Sequence, residues 1–139
     1  MKDLIANLFE LWGSCYFGNF SKYMYKADLY GEVALWMVLI PLVVFFVYYK
    51  LLDHIRLAKT GIWAIILVVV SLFTAFIAWN IADAGIGDYL IQHKIKKHNI
   101  LPVDYFWFSF IVFIYTAIIS FLFSIVFKLG ASRVRDIPF

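Results

Sequence analysis

The sequence predicts an all-α integral membrane protein with three transmembrane helices, and three observations carry that reading. Apolar runs cover residues 33–52, 62–82 and 105–129, and their only charged residues are Lys50 and Lys128, each near a run's end. Each run reaches the roughly 20 residues a helix needs to cross about 30 Å of hydrocarbon. The composition, 65% hydrophobic and 15% charged, departs from the roughly 45–50% and 25% of soluble domains. No water is available in lipid to satisfy free backbone groups, so each run should form a complete α-helix. The 139 residues leave room for a single membrane domain, 1–139, and none for a separate soluble one.

Residues 1–30 precede the first span and read as an interfacial segment. Leu4, Ile5, Leu8, Leu11 and Trp12 recur at helical spacing, with Lys2, Asp3, Asn7 and Glu10 on the other side. This pattern is too short and too charged to span, and suits an amphipathic helix lying along the headgroups, with Gly13-Ser14 as its stop. The following stretch to Tyr30 is rich in aromatic residues, which prefer the membrane–water boundary. Cys15 is the single cysteine, so no internal disulfide forms. Trp12-Gly13-Ser14-Cys15 has the outline of a lipoprotein cleavage site, but Asp3, Asn7 and Glu10 interrupt any signal-peptide core.

Span one, residues 33–52, contains Pro41. A proline there removes a backbone donor and clashes with the carbonyl of Met37, so a kink and possible hinge are expected near mid-membrane. Tyr48, Tyr49 and Lys50 mark its exit from lipid. The link 53–61 is short enough to make spans one and two an antiparallel hairpin. Span two, residues 62–82, ends near Trp79, Asn80 and Asp83, with Gly85 and Gly87 expected to break it. The next link holds Ile91 and Ile95 four residues apart among Lys94, Lys96, Lys97 and His98, which predicts a short amphipathic segment between spans two and three. Pro102 should end that segment, and Asp104 is placed as the N-cap of span three, residues 105–129. Residues 130–139 form a basic tail with Arg133 and Arg135.

An odd number of spans puts the two termini on opposite sides. Lys50, Arg56, Lys59, Lys128, Arg133 and Arg135 fall on one side, and Lys2, Lys22, Lys26, Lys94, Lys96 and Lys97 on the other. The count is even, but the first set clusters closer to the helix ends, where positive charge weighs most. The expected setting is a bacterial inner membrane with the N-terminus outside and the C-terminus cytoplasmic.

Lipid tails are as apolar as leucine, so helices associate where small residues allow close approach. Span two offers Ala64, Ser71, Ala75, Ala78 and Ala82, and span three Ser109, Thr116, Ser120 and Ser124. These faces are expected to pack on each other or on another chain. Intramembrane charge, the usual mark of function in a span, is absent. Glu32, Asn80 and Asp83 form a weak polar grouping at span ends. All three histidines, His54, His93 and His98, fall in links, which disfavours haem ligation within the spans. No cofactor, metal or catalytic site is expected.

The net charge of +3 does not imply nucleic acid, because the basic residues sit beside spans where anionic headgroups are nearer. The expected partners are the lipid bilayer and other membrane subunits or copies of the chain. The three-span layout with a basic tail resembles the class I phage holins in topology alone, and no motif carries that likeness. Two functions are therefore expected: a non-catalytic membrane subunit acting as anchor or scaffold, or, as the alternative, a homo-oligomeric pore lined by the hydroxyls of span three.

Overall fold

The computed structural model describes residues 2–11, 16–51, 60–95 and 100–128. The Gly13-Ser14 stop, Cys15, most of the link 53–61, His54, Lys96, Lys97, His98 and the tail 130–139 lie outside the described residues. Among the described residues five α-helices follow one another: α1 (Lys2–Phe9), α2 (Asn19–Lys26), α3 (Leu29–Phe46), α4 (Thr60–Gln92) and α5 (Pro102–Lys128), with a π-helical turn over Val47–Leu51 continuing α3. Three of them, α3 with its π turn, α4 and α5, are long and apolar enough to cross a membrane. In each, only 28% of the most apolar stretch is fully buried within the chain, so much of every span remains at least partly uncovered. Apolar surface on that scale is unfavourable in water and natural in lipid.

The boundaries show what the sequence pattern misjudged. Helix α1 stops at Phe9, with Leu11 in the left-handed region (φ 47°) and its N–H bonded to the Leu8 carbonyl at 3.3 Å. A second short helix, α2, occupies what read as an aromatic-rich stretch. Phe20 and Met24 are both fully buried, one helical turn apart, while Lys22 and Lys26 are exposed on the other face. Asp28, also left-handed at φ 59°, turns the chain from α2 into α3, a conformation that aspartate tolerates better than most residues.

The glycines expected to end span two do not. Helix α4 runs through Gly85 and Gly87 to Gln92, because the buried positions Ala78, Ala82, Ile86 and Leu90 continue at four-residue intervals past them. A Cβ at Gly85 would collide with the Leu29 side chain, so this glycine permits close approach of α3 instead of breaking α4. The helix ends in a Schellman motif: Ile95 N–H bonds the Leu90 carbonyl at 3.0 Å and Lys94 N–H that of Ile91 at 3.1 Å, with Lys94 left-handed at φ 52°. The amphipathic segment expected in the second link is thus, as far as Gln92, the end of α4. At 33 residues, α4 is about 50 Å long and outreaches a hydrocarbon core of about 30 Å.

Pro102 begins α5 instead of ending the segment before it, the first-turn position where a missing N–H costs nothing. Asp104 is inside the helix, not its N-cap. Its carboxylate reaches back to accept the Leu101 N–H at 3.0 Å, the returning half of a capping box.

The described helices divide between two compact units. One comprises Met1–Trp36 with Ala75–Val112, the other Met37–Thr74 with Phe113–Phe139. In the first unit, Phe9 of α1 stacks on Tyr30 with centroids 5.6 Å apart and meets Phe108 of α5 at 5.6 Å. Phe20 of α2 packs on Tyr105 and Phe108 at 5.0 and 5.4 Å. These rings fix both short helices against α5. The core of the second unit is Phe45, Tyr48, Tyr49 and Trp63.

Candidate functional site

Two arrangements concentrate polar chemistry, one in each unit. In the second unit, Ser124 of α5 is completely buried. Its hydroxyl accepts the Trp63 indole N–H at 2.8 Å. It also shares a 2.7 Å hydrogen bond with the Tyr49 hydroxyl, in which either can supply the proton. One serine thereby satisfies the polar tips of two large aromatic side chains within a span, where each would otherwise be unpaired in hydrocarbon. The π turn makes this possible. Bonding from i to i+5 winds more residues into a turn and brings neighbouring side chains closer around the axis, so the consecutive Tyr48 and Tyr49 both enter the core. Their rings meet edge to face at 5.0 Å. The tyrosines read as markers of the lipid boundary are core residues.

The other small-residue positions fall as follows. On α4, Ser71, Ala78 and Ala82 are buried, Ala75 is half-buried and Ala64 is exposed. On α5, Ser109, Thr116, Ser120 and Ser124 are all buried. Ser71 and Thr74 each return their hydroxyl to their own helix, donating to the Leu67 and Val70 carbonyls at 2.8 and 2.9 Å. The hydroxyls of Ser109 and Ser120 have no hydrogen-bond partner among the described residues. Pro41 is buried within α3, which continues on both sides of it. Alongside, α3 and α4 leave an apolar groove of about 370 Å³ walled by residues such as Val44, Val69 and Phe73.

The first unit holds a cavity of about 280 Å³ between α1 and α2, with charged side chains among its lining. Asp3 and Asn7 line it from α1, Glu10 from the turn that follows α1, and Ser21, Lys22, Tyr25 and Lys26 from α2, with Tyr16 at the edge. The spacing is helical on both sides, so each set shares one face. Tyr25 donates to Asp3 Oδ1 at 2.6 Å and Tyr30 to Glu10 Oε1 at 2.9 Å. The hydrogen bond to Asp3 raises the Tyr25 phenol above its ordinary value of 10.0, with the carboxylate charge adding to the effect. Ser21, fully buried, accepts the Phe17 N–H at 3.0 Å and so braces the entry to α2.

Glu32, Asn80 and Asp83 are all exposed. Asn80 donates its amide to the Phe76 carbonyl of its own helix at 2.7 Å. Among the described residues, no group of three or more His, Cys, Asp or Glu side chains is placed to hold a metal ion. His93 lies just beyond α4, exposed, stacked on Tyr89 with centroids 4.1 Å apart.

The Tyr49–Trp63–Ser124 node could not be read from the sequence, because it joins residues up to 75 positions apart. The cavity had a partial signal. Asp3, Asn7 and Glu10 were legible as the polar face of α1, and Lys22 and Lys26 stand one turn apart, but α2 itself was missed. Helices of this length and polarity define a multi-pass membrane protein. Comparison of the chain with known protein families, curated sequences and solved structures finds no match.

Proposed function

We propose that the chain is a non-catalytic integral membrane subunit, an anchor or scaffold within a larger assembly. Its proposed setting is a bacterial inner membrane, N-terminus outside and C-terminus cytoplasmic. The observation that supports this most is where the hydroxyls of the spans lie. Ser71, Thr74, Ser109, Thr116, Ser120 and Ser124 are buried within the chain. Most outward positions away from the span ends are apolar, such as Val43 on α3, Phe73 on α4 and Ile118 on α5. Such an exterior suits lipid or the apolar face of another membrane helix. It offers little to water, ions or a reacting substrate.

The pore alternative needs Ser109, Thr116, Ser120 and Ser124 to line a channel between copies. Their burial within one chain weighs against it, since lining a shared pore would require α5 to turn about its axis and expose them. Gentle solubilisation of the native membrane, followed by identification of what co-purifies, separates the readings. A hetero-complex containing this chain supports the subunit. A single repeated small chain, with ion flux in reconstituted liposomes that Ser120→Leu weakens, would establish the pore instead.

A further inference from the structure

The cavity between α1 and α2 has features that the anchor role does not require. It is lined by two carboxylates, Asp3 and Glu10, and two ammonium groups, Lys22 and Lys26. The carboxylates take their hydrogen bonds from neutral tyrosine hydroxyls, Tyr25 and Tyr30, so their negative charge is oriented but not neutralised. Neither lysine has an ion-pair partner among the described residues. The site therefore presents separated positive and negative groups around one space, with no net excess of either.

We propose that this cavity binds a phosphoethanolamine group, its ammonium held by Asp3 and its phosphate by Lys22 and Lys26. An ethanolamine ammonium carries three N–H donors to offer a carboxylate, whereas a choline trimethylammonium has none to give. The lysines supply charge-assisted hydrogen bonds to phosphate oxygens. A purely anionic ligand would leave the carboxylates opposing it, and anionic-lipid sites carry a basic excess, which is lacking here. The volume of about 280 Å³ sits just below the usual range of roughly 300–1,000 Å³ for ligand pockets, a size for a headgroup and not for a nucleotide.

The placement of the two helices points to the bilayer as the source. Phe9 and Phe20 seat them on Phe108 and Tyr105 near the start of α5. Tyr23 of α2 packs on Tyr89 of α4 at 5.9 Å, six residues past Asp83, the first charge after span two. These contacts hold the cavity beside span ends, where headgroups reside. The proposal is independent of whether the chain serves as a subunit or a pore.

The full-length protein in detergent, with its tyrosine ring carbons ¹³C-labelled and the Tyr25 signal assigned through Tyr25→Phe, is titrated with dihexanoyl-phosphatidylethanolamine. Parallel titrations use the choline and glycerol analogues, O-phosphoethanolamine and inorganic phosphate. The ethanolamine lipid should move the Tyr25 signal saturably, with a Kd about tenfold below the choline lipid, the scale of one lost charge-assisted hydrogen bond. Asp3→Asn should erase that preference, while Lys22→Gln/Lys26→Gln should weaken both lipids together. O-phosphoethanolamine binding as tightly as the lipid would support the site with a soluble ligand as its source; weaker binding would support the lipid. Equal Kd values for the three lipids on the unmodified protein, or inorganic phosphate matching the ethanolamine lipid, would overturn the proposal whatever the variants do.

Discussion

The two units satisfy the hydroxyls of their tyrosines in different ways. In the first, Tyr25 and Tyr30 direct their hydroxyls to carboxylates, Asp3 on α1 and Glu10 just after it. In the second, Tyr49 and Trp63 converge on one buried serine. The difference follows from the solvent each unit must match. Where a helix lies along headgroups, charged partners can stay hydrated and a charge-assisted bond is affordable. Within a span, an ionised partner would be expensive, so a neutral hydroxyl from a neighbouring helix does the same service. The first unit consequently carries an open charged cavity, and the second a sealed polar node.

The largest predicted effect tests what holds α1 and α2. Phe108 is 1% exposed and contacts Phe9, Phe20 and Tyr30. Phe108→Ala should cost about 3 kcal/mol, the low end for such truncations because lipid, not water, is partly the alternative environment. Amide hydrogen exchange in α1 and α2 should accelerate, while the Tyr49 and Trp63 region keeps its protection. Uniform acceleration would mean that the two cores are not separately organised.

Ser124→Ala should come next. It strands the Trp63 N–H and the Tyr49 hydroxyl, at about 1–3 kcal/mol for unsatisfied buried groups. Ser120, one turn away and without a hydrogen-bond partner among the described residues, supplies the control: Ser120→Ala should be neutral or stabilising by up to about 1 kcal/mol. Reversible unfolding in mixed micelles reads both, and equal losses would show that bulk, not hydrogen bonding, is what the serines contribute.

A pair of glycines sharpens the account of α4. Gly87 faces open space, so Gly87→Ala should stabilise by roughly 0.5–1 kcal/mol through helix propensity. Gly85→Leu should destabilise by about 1–3 kcal/mol, since Leu29 occupies the space. Stabilisation by both substitutions would remove the close approach of α3.

The smallest effect is a titration. Because Tyr25 donates a hydrogen bond to the Asp3 carboxylate, this phenol ionises above 10.0. A folded pKa raised in this way gives a contribution that is complete below the unfolded value and lost as pH rises through the folded one. It is therefore constant near neutrality and disappears only in strong alkali. The Tyr25 midpoint, followed by ring-carbon NMR, should fall in Asp3→Asn. An unchanged midpoint would dissociate the two side chains.

The spans were legible because hydrophobicity over about 20 residues is a one-dimensional signal. What escaped depended on which side chain stands opposite. Gly85 carries the signature of a helix breaker, and only the nearness of Leu29 shows that it serves packing. Asp104 looks like an N-cap until Pro102 is seen to open the helix. Phe20 and Met24 had the spacing of a helix core, but with one turn on either side the pattern was too short to stand apart from an aromatic belt. The π turn has no sequence pattern of its own; it is recognisable from the joint burial of Tyr48 and Tyr49. The small-residue faces were visible in sequence, yet their distribution between buried and exposed positions, with Ala64 outside and Ser124 at a hydrogen-bonded node, belongs to tertiary structure.

The central claim is that the hydroxyl face of α5 serves the interior of a single chain and meets no water. Single cysteines at Ser120 and Asn19, in a Cys15→Ser background reconstituted into liposomes, can be exposed from both sides to a charged, membrane-impermeant thiol reagent. Asn19 is exposed at the start of α2 and Ser120 is fully buried. The account predicts rapid modification of Asn19→Cys and none of Ser120→Cys on the same timescale. Modification of Ser120→Cys at a comparable rate would reveal a water-filled path along α5 and contradict it.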